Sequence, residues 1–134
     1  MLSVRSLKQY DLIEFLTNKG FTVTNTGEKV WQISHSGELP VYLHIGDTQI
    51  YFEVDLGNIS SIASETLYFT LLDLNTEILP VSLGIDTSNS EDPRLVLVES
   101  RELENLDDNE LLAVFAALEI ATDKVEAVIS EFIQ

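Results

Sequence analysis

The sequence predicts an α+β fold, an antiparallel sheet with helices in the order α-β-β-β-β-α-β-β-α. Three observations carry that reading. Between residues 21 and 54, short alternating apolar segments are separated by small polar turns, and strands joined that closely pair antiparallel, because parallel pairs need long crossovers. Helical spacing of apolar residues occurs near both ends and once in the middle. With 134 residues, 45% of them hydrophobic, the chain has the size and apolar content of one domain, residues 1–134.

The first helix starts at Ser6, whose hydroxyl can cap it, and Tyr10, Leu12, Ile13, Phe15 and Leu16 give it an apolar side. Gly20 ends it, since glycine adopts a left-handed conformation at least cost, and Phe21 can fold back on Leu16. Phe21 and Val23 alternate with threonines in the first strand, and Asn25-Thr26-Gly27 is its expected turn. In the second strand Trp31, Ile33 and His35 share one face, and Ser36-Gly37 turns the chain again. The third and fourth strands are expected to meet across a two-residue Gly46-Asp47 loop of type II′. That register opposes Ile45 to Thr48, Leu43 to Ile50, Val41 to Phe52 and Leu39 to Val54, which places a nearly unbroken apolar set on one face. Tyr42, His44, Gln49, Tyr51 and Glu53 then occupy the other.

A second helix is expected from about Ser61 to Asn75, with Pro80 barring its extension. Its apolar residues Ile62, Leu67, Tyr68, Phe69, Leu71, Leu72 and Leu74 fill more than one stripe, so it is buried on two sides or meets another subunit. Val81, Leu83 and Ile85 alternate with Ser82, Gly84 and Asp86 in the fifth strand. Leu95-Val96-Leu97-Val98 is apolar on both faces and suits an interior strand. Thr87 to Asp92 is a polar hairpin loop between them. The last helix begins at Asp107 or Asp108, where negative charge suits a helix N-terminus. Leu111, Phe115, Leu118, Val125, Ile129 and Phe132 form its stripe, with Thr122 in the polar slot. At 1.5 Å per residue that seam runs roughly 33 Å, long for a small sheet to cover. Tyr68, Leu72, Leu118, Val125 and Ile129 are therefore the candidate partner or dimer contacts.

Chemistry is hard to find in these residues. There is no cysteine, so disulfides, thiolate metal sites and a cysteine nucleophile are excluded, and a cytoplasmic setting is expected. His35 and His44 fall on different strands with no nucleophile or metal trio near them in sequence. Glu102, Glu104, Asp107 and Asp108 cluster where the helix dipole already accounts for acids. Asp86 to Asp92 has oxygen side chains at alternate positions, but Glu91 stands where a calcium loop needs its glycine. Phosphate-loop, dinucleotide, nucleophile-elbow and zinc-helix motifs are all missing. No enzyme class, cofactor or metal is expected.

Seven Lys and Arg stand against 23 Asp and Glu, a formal net charge of −16. Phosphate backbones and anionic lipid headgroups repel such a chain, so nucleic acid and bare membrane are poor partners, and a basic protein surface or a mildly basic coiled coil is a better one. No apolar run approaches the ~18 residues of a membrane span, and the first residues, Met1 to Lys8, have no apolar signal core.

The stretch Glu38-Leu39-Pro40-Val41-Tyr42-Leu43-His44-Ile45, followed by Gln49-Ile50-Tyr51-Phe52-Glu53-Val54, resembles a hairpin of the YjfI-like bacterial proteins. Leu71 to Ile85, with Leu79-Pro80-Val81-Ser82, resembles the helix and strand that follow in that family. The resemblance implies an element order similar to type III secretion chaperones, small acidic cytoplasmic dimers that hold partner segments. It also implies a link to phage-shock-protein-A-like coiled coils of envelope stress. The resulting expectation is a non-enzymatic, homodimeric, chaperone-like adaptor for a protein partner. The alternative is a small-molecule or regulatory sensor with a pocket on the Tyr42, His44 and Tyr51 face. An open face favours a polypeptide, and a closed concavity with convergent polar groups favours a ligand.

Overall fold

The computed structural model describes residues 9–133, with side chains from residue 12 onward. The expected Ser6 cap and the side chain of Tyr10 lie outside the described residues. The elements are α1 (Gln9–Asn18), β1 (Thr22–Gly27), β2 (Val30–Ser34), β3 (Val41–Ile45) and β4 (Gln49–Gly57), then α2 (Glu65–Leu74), β5 (Ser82–Asp86), β6 (Arg94–Glu102) and α3 (Asp108–Phe132). The predicted order and the α+β class are both observed. The strands form one antiparallel sheet in the order β1-β2-β3-β4-β6-β5, so β6 is interior, as its two apolar faces require, and β5 is an edge. Among the described residues no helix is long and apolar enough to cross a membrane. The residues fall into two compact units, and β4, β6 and α3 each contribute to both.

One unit consists of the described residues up to Glu53 together with Glu99–Phe115. Here α1 buries Leu12 and Leu16 completely. It ends as expected: Gly20 has φ +94°, its N–H donates to Thr17 O (3.1 Å), and Phe21 N–H donates to Leu16 O (3.1 Å). This paired closure satisfies carbonyls that the last helical turn leaves open. Trp31, Ile33, Val41, Leu43, Ile45, Ile50 and Phe52 are buried on one face of β2 to β4. The ring of Phe115 stands edge-on to Phe52 at 5.7 Å and lies 5.0 Å from Phe21, an aromatic cluster at the centre of this core.

Two turns differ from the sequence reading. The β1–β2 reversal uses Glu28-Lys29, with Lys29 at φ 60°, instead of Asn25-Thr26-Gly27. Asn25 Oδ1 accepts the Gly27 N–H (3.1 Å), so those residues make a bulge within the strand while the chain continues. The β3–β4 loop has three residues, Gly46 to Thr48, and the observed pairs are Ile45 with Ile50 and Leu43 with Phe52. A type II′ turn needs positive φ at its first glycine, whereas the glycines with positive φ are Gly20, Gly37 and Gly57. Gly46 serves a close approach instead. Its N–H donates to Gln49 O at 2.8 Å, and a Cβ there would stand 3.1 Å from that same oxygen. The register moves by two residues, an even number, so the apolar face is retained. Leu39, expected on that face, is 40% exposed.

This unit also contains a buried charge. The Glu99 side chain is 2% exposed, and its Oε2 accepts from Arg101 Nη2 (2.7 Å) and Nε (2.8 Å). Arg101 Nη1 donates in turn to Glu110 Oε1 (2.8 Å) in the first turn of α3. The hydrogen bonds to Glu99 are the main reason the guanidinium holds its proton even more firmly than usual. Asp107 caps α3, accepting the Glu110 N–H at 2.8 Å.

The other unit consists of Val54–Val98 together with α3 from Ala116. Its core includes Leu67, Leu71, Leu74, Val81, Leu95, Val96, Leu97, Leu118, Ala121 and Val125. Thr122 is buried within the α3 stripe and donates its hydroxyl to Leu118 O (2.7 Å), so the polar slot is satisfied. The loop from Thr87 to Asp92 is solvated, as expected. Hydrogen bonds from the Ser88 hydroxyl and then its N–H hold the Asp86 carboxyl below the usual aspartate range.

Candidate functional site: an apolar groove between the second helix and the edge strand

α2 begins later than Ser61. Residues Ser60–Ile62 form a separate 3-10 turn, and the Ser64 hydroxyl accepts the Leu67 N–H (3.0 Å), which sets the helix start at Glu65. From there Leu67, Leu71 and Leu74 follow four- and three-residue steps and are buried. The remaining apolar residues face outward: Tyr68 is 44% exposed, Leu72 70% and Phe69 72%. On β5, Leu83 is half-buried and Ile85 is 48% exposed, so the strand's apolar face is only partly covered.

These surfaces meet in a groove of about 300 Å³ lined by Tyr68, Leu71, Leu72, Leu83, Ile85 and Leu95, together with Gly84 and Asn75. Asn75 ties its two walls together, because its Oδ1 accepts the Leu83 N–H at 2.7 Å. That bond also shows which way Leu83 points its backbone. In an antiparallel ladder successive residues alternate, so Leu83 and Ile85 aim their N–H and C=O groups away from β6, along the free edge. The groove thus combines apolar side chains with the outer edge of β5, where Asn75 takes the Leu83 N–H. Isolated exposed apolar residues are ordinary, but a contiguous set around a concavity is the usual mark of an interaction surface.

The sequence candidates divide. Tyr68 and Leu72 line this groove. Leu118 and Val125 are 1% and 0% exposed, so their side chains are taken up by the chain's own core. The unusual length of the α3 stripe had suggested otherwise. Ile129 is partly buried and lines a second groove, about 260 Å³, with Ile59, Ile62 and Ile133. Ile85 and the Asn75 tie are site residues that sequence reasoning missed, and a single asparagine at a helix end leaves no signal for the tie. Phe69, exposed on α2, is outside the groove lining.

Near the groove, Arg94 is the cation held most firmly. Its Nε meets Asp55 at 3.1 Å and its Nη1 meets Asp92 at 3.3 Å, and these bonds, that to Asp55 first, raise its proton affinity. Asp92 also accepts from Asn58 Nδ2 (2.8 Å), the main cause of its lowered pKa, with Arg94 next. Among the described residues no group of three His, Asp or Glu side chains could hold a metal ion.

The CesT_Tir_1 family profile matches residues 6–134. The chain belongs to this family. It is a family of type III secretion chaperones, in agreement with the expected chaperone-like element order. Solved structures carry the same fold at low identity. A chain of the heterodimeric ExoU–SpcU complex, from the type III secretion system of Pseudomonas aeruginosa, superposes with TM-score 0.69 at 18% identity, covering 86% of this chain and 94% of that one. YbjN, a candidate transcription regulator from E. coli, gives 0.66 at 16%, covering 95% of each. An uncharacterized protein from Methanothermobacter thermautotrophicus gives 0.63 at 12%, covering 96% and 100%. No curated protein matches the chain in sequence.

Proposed function

We propose that this CesT_Tir_1 protein is a non-enzymatic, chaperone-like adaptor, acting as one α+β domain in the cytoplasm, that holds a segment of a protein partner on its α2–β5 face. One observation carries the reading: Tyr68, Leu72 and Ile85 remain exposed along an apolar groove that the described residues leave unfilled. A small molecule fits that groove less well. Ligand pockets place a few polar groups among apolar walls, and the Oδ1 of Asn75 is already engaged by Leu83. The sheet face proposed for a sensor pocket is open at His44 and Tyr51, whose rings stack at 5.9 Å, and an open aromatic strip also favours a polypeptide. A phage-shock-protein-A-like coiled coil, and with it a role in envelope stress and kinship with YjfI-like proteins, is the specific partner the hairpin resemblance supports.

The test compares the native chain with Leu72→Asp as bait in cells of its own source. Leu72 is 70% exposed, so the variant should fold. A partner retained by the native chain and lost by the variant supports the reading. An identical set of retained proteins contradicts it.

Homodimerisation is a second reading, favoured by the patch of Ile129 and Ile133, the latter 59% exposed, beside the second groove. Burial of a few such residues, at about 25 cal/mol per Å² of apolar surface, can support association. The −16 charge opposes it at long range, so the dimer should tighten as salt rises. Light scattering should give a mass near twice 15.0 kDa that grows more uniform with salt, and a monomer mass under all conditions would rule the dimer out.

A further inference from the structure

We infer that residues 58–63 form a strap along the second groove, held closed by a chain of polar contacts through Arg94 and released by salt. The strap joins β4 to α2. Within it Ile59 is buried, at 7% exposure, and Ile62 is half-buried. Asn58, Ser60, Ser61 and Ala63 are exposed, so apolar burial fixes the segment at few points. Its two ends are set by the backbone. Gly57 turns the chain at φ +104°, a left-handed conformation that glycine adopts at least cost, and Ser64 is extended where it caps α2. Asn58, Ile59, Ser61 and Ile62 supply the strap's share of the groove lining, and Ile129 and Ile133 supply that of α3.

The polar chain leaves the backbone at Gly57 and returns to it at Ser60. Gly57 N–H donates to Asp55 Oδ1 (2.8 Å), and Asp55 also accepts from Arg94 Nε (3.1 Å). Arg94 Nη1 reaches both Asp92 oxygens at 3.3 Å, and Asp92 Oδ1 accepts from Asn58 Nδ2 (2.8 Å). Asn58 Oδ1 then accepts the Ser60 N–H (2.8 Å). Asp55 belongs to β4, Asp92 to the β5–β6 loop and Arg94 to the start of β6, so groups far apart in sequence grip one short segment. The side chains of Arg94, Asp55 and Asp92 are 37%, 35% and 46% exposed, within reach of dissolved ions. Salt screens ion pairs of that exposure. Loosening of Arg94 frees Asp92, and with it the side chain of Asn58, so the strap can lift and uncover Ile59.

Amide hydrogen exchange on the full chain, read residue by residue, tests this. The N–H groups of Ser60, Ile62 and Ala63 report on the strap, because their acceptors, Asn58 Oδ1, Ile59 O and Ser60 O, lie within it. Asp92→Ala should speed exchange at these three amides by about threefold to tenfold, the range for one lost polar contact. Ser88→Ala removes a hydroxyl of the same loop that bonds Asp86, and it should leave the three unchanged. In the native chain they should speed by about threefold as salt rises from about 0.05 M to about 1 M. Asp92→Ala should lose most of that salt dependence. The amides of Leu95 and Leu97, inside β6, should keep their native rates in both variants. No acceleration on Asp92→Ala, or an equal one on Ser88→Ala, would overturn the latch. Equal acceleration at Leu95 and Leu97 would make the effect a general loss of stability and overturn it too. Native rates that ignore salt would overturn the release.

Discussion

Arg101→Met is expected to destabilise the protein by about 3–5 kcal/mol, because it strips the charge partner from a carboxylate that cannot reach water. The Glu99 side chain is 2% exposed, and both its short contacts go to one guanidinium. Its other oxygen, Oε1, is buried and has no hydrogen-bond partner among the described residues, so none of them stands ready to take over. Arg101 itself is 28% exposed, and solvent can soften the effect of its loss only on its own side. Chemical denaturation measures the change. The double variant Glu99→Leu Arg101→Met separates two causes, since it removes the buried charge together with its partner. It should recover most of the loss, as buried ion pairs replaced whole by apolar groups are often neutral. If the double variant is as unstable as the single one, the damage comes from lost packing and the ion-pair account fails.

Phe52→Ala should lower stability by about 3–5 kcal/mol, the range for truncating a buried aromatic side chain. Phe52 is 1% exposed, pairs with Leu43 across the ladder and meets the Phe115 ring edge-on. Alanine would leave a void beneath Phe115 and also weaken its contact with Phe21 at 5.0 Å. Tyr51, the next residue along, is 45% exposed on the opposite face, and Tyr51→Ala should change stability by less than about 1 kcal/mol. Equal losses at the two positions would contradict the observed faces of β4.

The contrast between those neighbours shows what was legible from residues alone. Period-two alternation assigns faces, and a register error of two residues leaves every face unchanged, so Val41, Leu43, Ile50 and Phe52 were placed inside although their partners were misjudged. Loop length depends on backbone angles at one glycine, and Gly46 answers equally to a tight turn or to a close approach. At β1–β2 the Asn25 side chain competes for a backbone N–H and delays the reversal, a local contest that composition does not decide. On α2 the excess of apolar residues pointed to burial on two sides or a subunit contact, and in the folded chain Tyr68, Phe69 and Leu72 are exposed. On α3 the same kind of signal misled for Leu118 and Val125, because stripe length says nothing about how much of a helix its own chain covers. The groove also needs Ile85 from β5 and the tie from Asn75 to Leu83, residues eight apart whose contact exists only after folding.

The central claim is that α2 and β5 present a surface for another polypeptide, and a photo-activated crosslinker tests it most directly. Placed at position 72 in the native cell, it samples the rim of the groove. Placed at position 120, also well exposed at 58% in the native chain but on α3, it samples surface outside the groove. The account predicts that the Leu72 position gives a discrete product heavier than the 15.0 kDa chain and containing a second, different protein, with none of that product from the Ile120 position. The same products in the same yield from both positions would contradict it.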